Sequence, residues 1–161
     1  MKLPHRSLRL LAACARTAAV STLARYTAPA TITSAPGRRV LCLGDGDLSC
    51  SAALADAGVD VTATTLDTQD DLHRKYGEEA AARFDRLGAV GGVDATRPPD
   101  FGEAFDRVIF NFPHAPGKQN IRRNRELLHA VCAAAALAPG GELLVALDGG
   151  QGGVCCVEIN P

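Results

Sequence analysis

The sequence predicts an α/β fold, a parallel sheet with helices on both faces. Three observations carry this. Short apolar runs alternate with helix-patterned stretches along the chain. The first run, 40–43, breaks sharply at Gly44-Asp45-Gly46-Asp47 and leads into a helix-like stretch at 49–57. The polar residues that invite a ligand all fall just after predicted strands, the edge where open α/β sheets bind ligands.

The first strand is the purely apolar Val40-Leu41-Cys42-Leu43, as a strand buried on both faces requires. Asp47 or Ser49 is placed to cap the helix that follows. Strand, glycine turn and helix N-terminus together form a nucleotide-sized cradle. A dinucleotide fingerprint needs a third glycine where this chain has Ser49. Asp45 and Asp47 would also repel a pyrophosphate. They suit a ligand with no phosphate and a positive centre, and S-adenosylmethionine is such a ligand. The plainer reading is a tight strand–helix turn with solvated aspartates.

A second strand alternates through 59–64 and runs into Asp67, 23 residues after Gly44. An acid there can accept both ribose hydroxyls of an adenosine, or cap the helix expected over 68–76. A further helix is expected over 77–88, with Ala80, Ala81, Phe84 and Leu87 on one face. Residues 89–93 read as a weak third strand closed by Asp94, which could accept from an adenine amino group. The run 105–110 is a clear fourth strand and ends in Asn111-Phe112-Pro113-His114, a stiff lip able to stack. Asn120 caps a long helix expected to reach about 137, with Lys118, Arg122, Arg123 and Arg125 clustered at its start. Ala138-Pro139-Gly140-Gly141 is expected to stop it, and 142–147 to form a fifth strand.

Composition bounds the function. The length of 161 residues suits one domain with a real core. Residues 1–37 hold five basic and no acidic residues, whereas 38–161 hold 12 basic and 18 acidic. The body is therefore not a general polyanion binder, and any RNA contact needs a local basic patch. The acid-free N-terminus reads either as an organellar transit peptide or as an extension without an address. Arg16 interrupts its apolar run, which argues against a membrane span. Six cysteines include no CxxC pair and no zinc-like spacing, so reduced thiols, an intracellular compartment and no metal are expected.

With these residues assembled, the chain resembles the family of rRNA (uridine-N3)-methyltransferases. Their domain also occurs in larger proteins with a ferredoxin-fold anticodon-binding domain. The resemblance covers roughly residues 38–153 and rests on five blocks in order: Gly44 to Ser49, Thr62 to Asp67, Gly92 to Thr96, Phe105 to His114, and Arg123 to Leu128. It implies a Rossmann-like fold of the S-adenosylmethionine-dependent methyltransferase class, that cofactor as methyl donor, and a uridine in structured large-subunit ribosomal RNA or a pre-ribosome as acceptor. By resemblance Gly44, Asp45 and Gly46 would hold the methionine part of the donor, Asp67 the ribose and Asp94 the adenine. Asn111, Phe112, Pro113 and His114 would sit at the target base, with His114 as candidate base for the imide proton. Lys118, Arg122, Arg123 and Arg125 would hold flanking phosphates, or form a solvated helix face. Family members suggest cytoplasm or nucleolus, and the N-terminus a mitochondrion or plastid. After Gly153 the resemblance fades, so a form truncated after the fifth strand, with a partner chain covering the exposed sheet edge, is also expected. The competing functions are a non-catalytic adenosylmethionine- or nucleotide-binding module and a nicotinamide-dependent oxidoreductase, the latter opposed by Ser49, Asp45 and Asp47.

Overall fold

A computed structural model describes residues 38–117 and 120–147, together with the backbone of two short strands, Arg9–Leu10 (β1) and Cys156–Ile159 (β6). Between them run strands β2 (Arg39–Leu43), β3 (Asp60–Ala63), β4 (Phe105–Asn111) and β5 (Leu137–Ala146). The helices are α1 (Ser49–Asp56), α2 (Gln69–Tyr76), α3 (Glu78–Leu87) and α4 (Ile121–Ala134). The six strands among the described residues form one sheet in the order β1-β6-β5-β4-β2-β3. Strands β2, β3, β4 and β5 are mutually parallel where they pair, whereas β6 runs antiparallel to β5 and β1 antiparallel to β6. The expected parallel α/β sheet is therefore present.

The alternation of side chains along β2 explains the layers. Val40 and Cys42 face one way and pack with Ile109 of β4 and with Cys50 and Leu54 of α1. Leu41 and Leu43 face the other way and pack with Val108, Phe110, Leu143 and Val145 beneath Val131 of α4. Both faces are covered, so β2 has no polar position after Arg39. A third cluster, Leu48, Ala63, Leu72, Ala80 and Ala89, seats α2 and α3 beside β3. Full burial of one such leucine contributes about 1.5–3 kcal/mol. At the opposite, amino-terminal edge, the Arg39 guanidinium lies 5.0 Å from the Phe105 ring centre, and its backbone N–H donates to Asp106 Oδ2 at 2.9 Å.

The structure corrects four details. The edge of β5, expected to lie exposed after the fifth strand, is paired with β6. The expected third strand at 89–93 is a single parallel bridge, Thr64 to Val90. Gly92 has φ +71°, and Gly91 lies so close to the chain that a Cβ there would meet the Asp67 carbonyl oxygen at 2.9 Å. The segment thus bends away after one rung, yet stays tied to β3 through Val90 N to Ala63 O, Thr65 N to Val90 O and Val93 N to Thr65 O.

Helix α4 ends at Ala134, short of 137, and β5 begins at Leu137 instead of 142. The Phe105 N–H takes the Ala136 carbonyl, which draws the chain into the sheet. Pro139-Gly140-Gly141 is accommodated by a register shift opposite Phe105 and Arg107. Gly141 permits it, since a Cβ there would lie 2.9 Å from the Phe105 carbonyl oxygen.

Finally, the residue at the cap position of α1 is Leu48, with φ 61° and no side-chain cap bond, not Asp47 or Ser49. A left-handed leucine costs about 1–2 kcal/mol, and its complete burial in the third cluster offsets that.

Candidate functional site

The order of the strands reverses between β2 and β4: the chain steps from β2 outward to β3, then returns to place β4 on the other side of β2. In open parallel sheets a crevice forms at the carboxyl ends of two such strands. Gly44 follows one of them and Asn111 ends the other, and Leu43 and Phe110 are register partners.

The glycine turn is built against its surroundings. Gly44 has φ +57°, and a Cβ on it would lie 3.1 Å from Cε2 of Phe110. Gly46 has no such backbone demand, but a Cβ on it would lie 3.1 Å from the Tyr76 hydroxyl. Both glycines therefore keep the turn thin where a ligand's backbone-side contacts would form. The turn is pinned to the end of β3 by Asp45 N to Thr64 O at 2.9 Å. A longer contact joins Thr65 Oγ1 to Gly46 O at 3.4 Å.

Asp45 is turned toward α1. Its Oδ2 accepts from the Ser51 N–H at 2.7 Å and from the Ser51 hydroxyl at 2.6 Å. Burial pushes its carboxyl above the usual carboxylate range, against the pull of these two hydrogen bonds. Asp47 accepts from the Ser49 N–H at 3.1 Å and is faced by Arg83, whose Nη1 also donates to the Asp47 carbonyl at 3.2 Å. The two aspartates that the sequence places in the cradle thus close the helix N-terminus, where negative charge meets unpaired N–H groups.

Asp67 lies just past β3, its side chain 15% exposed and ion-paired with Lys75. Its own carbonyl accepts from the Gly92 N–H. Asp94 is exposed and holds a local turn, with Oδ1 accepting from the Thr96 N–H at 2.9 Å and the Thr96 hydroxyl at 2.7 Å. Those bonds hold its carboxyl below the usual range. Asp67 and Asp94 are joined by the strip 90–93 that pairs with the end of β3. The turn Gly44-Asp45-Gly46 is thus tied to the end of β3, beyond which lie Asp67 and, after the strip bonded to that end, Asp94.

The lip follows β4. Asn111 Nδ2 donates to Cys50 Sγ at 3.2 Å, while its Oδ1 is buried with no hydrogen-bond partner among the described residues. Cys50 also hydrogen-bonds Cys42, which together with burial raises the Cys42 thiol well above its ordinary value. Phe112 has φ +50° and is 46% exposed, an aromatic ring held outward on a strained backbone. Its N–H donates to Ala146 O at 2.8 Å, and buried Pro113 follows it. His114 is exposed. The lip is braced from α4, because the Ala115 N–H donates to Asn124 Oδ1 at 3.0 Å.

Of the basic cluster, Arg122, Arg123 and Arg125 are exposed on the first turns of α4, and Lys118 lies outside the described residues. Arg122 pairs with Glu126 at 2.9 Å. Asn120 caps the helix by accepting from the Arg123 N–H, as expected. Cys50 as the partner of Asn111, Asn124 as the brace, and Lys75 with Tyr76 at Asp67 and Gly46 are contacts that were not legible in the sequence. Only the position of Lys75 and Tyr76 directly before the helix-ending Gly77 hinted at that last pair.

The family described as BMT5-like, rRNA (uridine-N3-)-methyltransferase BTM5-like, matches residues 41–159. Human ferredoxin-fold anticodon-binding domain-containing protein 1 is 37% identical over 128 residues, covering 72% of this chain and 20% of that protein. Heavy metal-associated isoprenylated plant protein 41 of Arabidopsis thaliana is 40% identical over 107 residues, covering 56% of this chain and 21% of its own length. This chain therefore spans about a fifth of the length of these relatives. Among solved structures, the glycopeptide N-methyltransferase MtfA complexed with sinefungin is similar at a TM-score of 0.52 and 25% identity, covering 78% of this chain and 52% of that one. TrmN from Thermus thermophilus shares the fold at a TM-score of 0.54 and 24% identity, covering 88% of this chain and 48% of its own. The chain belongs to the BMT5-like rRNA (uridine-N3)-methyltransferase family and has the Rossmann-like fold of S-adenosylmethionine-dependent methyltransferases.

Proposed function

We propose that this chain binds S-adenosylmethionine at the carboxyl edge of its sheet and methylates N3 of a uridine in large-subunit ribosomal RNA. The observation that carries this reading is the switch point between β2 and β4, neighbouring parallel strands that end in the glycine turn and in the lip.

The residues present fit such a donor. Neither Gly44 nor Gly46 has room for a Cβ without moving Phe110 or Tyr76, so backbone faces the crevice there. Asn111 Oδ1 is a buried acceptor in want of a donor. Gly44 and Gly46 would hold the methionine part, with Asp45 lending negative potential while it caps α1. Asp67 would accept the ribose hydroxyls and Asp94 the adenine amino group. When bound, the cofactor supplies a methyl group already activated on a sulfonium.

The chain's own work is alignment and proton removal. Phe112 stacks on the target base, and Asn111 orients the imide from its fixed position on Cys50. The His114 imidazole takes the N3 proton, leaving the nitrogen lone pair free to attack. N3 lies on the pairing edge, so the uridine must be unpaired or flipped out. Arg123 and Arg125 hold flanking phosphates.

The test is transfer of a labelled methyl group from S-adenosylmethionine to unmodified large-subunit ribosomal RNA by the full chain, followed by digestion to nucleosides. The expected product is N3-methyluridine, lost in Asn111→Ala and in His114→Ala. Label in a different nucleoside would overturn the assigned acceptor. Cofactor binding without any transfer would favour the non-catalytic binding module.

A further inference from the structure

We propose that Lys75 and Tyr76, the last two residues of α2, form a latch over the donor site, with Lys75 occupying Asp67 until a ribose displaces it. This rests on the reading of Asp67 as the ribose acid.

Consecutive side chains reach two different parts of the same site. Lys75 Nζ pairs with Asp67 Oδ1. The Tyr76 hydroxyl sits 3.1 Å from where a Cβ of Gly46 would be, and the Tyr76 side chain remains 47% exposed. The ring is therefore held at the turn from the solvent side. Neither residue is needed to seat the helix, because Leu72, fully buried, already anchors α2 in its cluster.

The helix then stops at Gly77, with φ 83° and ψ −172°. A Cβ at Gly77 would touch nothing within 4 Å. Gly77 is itself held, its N–H donating to His73 O at 2.8 Å and its carbonyl accepting from the Ala81 N–H at 3.3 Å, and it leads directly into α3, so the latch opens by rotation of the exposed Lys75 and Tyr76 side chains and not by movement of the helix.

The electrostatics set how strong the latch is. Asp67 is 15% exposed and Lys75 54% exposed, so the pair is half in water and breaks at low cost. A ribose offers two hydroxyl donors to one carboxylate. With Lys75 on Oδ1, one of those acceptor oxygens is shared until the ammonium leaves. The latch therefore lowers the affinity for every adenosyl ligand without closing the site, and its loss should tighten binding.

The experiment is calorimetric titration of S-adenosylhomocysteine into the full chain. This probe carries no net charge, so added salt acts on the protein rather than on the ligand. Four proteins are compared: wild type, Lys75→Gln, Lys75→Arg and Asp67→Ala. Lys75→Gln should bind about two- to fivefold more tightly than wild type, and Lys75→Arg like wild type. Raising sodium chloride from about 0.05 M to about 0.5 M should tighten binding to wild type and leave Lys75→Gln unchanged.

Equal or weaker binding by Lys75→Gln, with binding still lost in Asp67→Ala, would overturn the latch and leave the donor site standing. Binding that survives Asp67→Ala, or is absent from folded wild type, would overturn the ribose reading and the latch with it.

Discussion

Replacing Gly44 by alanine tests how the site is built, because Gly88 provides a matched control. Both glycines have φ +57°, so alanine meets the same left-handed φ at each. At Gly88, the cap of α3, a new Cβ meets nothing within 4 Å. That substitution should cost about 1–2 kcal/mol, the penalty for a left-handed L-residue. At Gly44 the Cβ lands 3.1 Å from Phe110 Cε2, and the Phe110 ring is only 6% exposed. The ring must yield by a few tenths of an ångström inside a packed layer, which adds about 1–3 kcal/mol.

Near 3 °C per kcal/mol for a chain of this size, Gly44→Ala should melt about 3–9 °C below Gly88→Ala. Differential scanning calorimetry of the two variants reads this directly. Pairing Gly44→Ala with Phe110→Leu should recover part of the loss, a coupling of about 1 kcal/mol or more. Equal melting temperatures for the two alanine variants, or strict additivity in the double variant, would refute the contact between turn and ring.

Further outcomes follow from the same geometry. Phe112 is exposed at φ +50°, so Phe112→Gly should leave stability within about 1 kcal/mol of wild type in urea unfolding, strain relief offsetting backbone entropy, while methyl transfer to RNA is lost. The Asp45 carboxyl titrates higher when folded than when unfolded, so its contribution to stability is fully present below the unfolded value and is lost as pH rises through the folded one. Asp45→Asn should therefore narrow or reverse its stability deficit against wild type as pH rises from about 4 to about 7, as read by melting temperature. Cys50→Ala removes the partner of Asn111 Nδ2 and should lower kcat with little change in the cofactor's Kd, whereas Cys50→Ser, which keeps an acceptor, should restore much of it. Arg123→Gln and Arg125→Gln should each weaken RNA binding and reduce its salt slope by about one, without altering cofactor affinity.

Much of the fold was legible because buried parallel strands announce themselves. Val40 to Leu43 and Phe105 to Phe110 carry the apolar density that two covered faces demand, and both form strands where expected. The cap Asn120 works as expected, accepting from the Arg123 N–H, whereas the cap of α2 is Thr68, which accepts from the Asp71 N–H, and not Asp67 as its alternative reading had it. What was illegible depends on tertiary geometry. Nothing local shows that Gly91 must clear the Asp67 carbonyl, or that Gly141 must clear the Phe105 carbonyl, and these close approaches decide where the 89–93 and 137–141 segments turn.

The site shows the same division. Gly44, Asp67 and Asn111 could be placed because each ends or follows a strand, and strand ends of a parallel sheet converge, whereas Asp94 follows only the single bridge at Val90. Asp45 reads as a ligand-facing acid in sequence. In the structure the six-residue step to Ser51 folds back, and the carboxylate meets the start of α1 instead. Lys75, Tyr76 and Cys50 come from helices that must first dock before they touch the site.

The central claim is that the carboxyl edge of this sheet is a site for S-adenosylmethionine. The most direct measurement is titration of that cofactor into the folded full chain beside Asp67→Ala, followed by heat release. Saturable binding by the wild-type chain is expected, and its loss in Asp67→Ala, with both proteins melting alike. Absence of binding by a folded wild-type chain, or identical binding by both proteins, would contradict it.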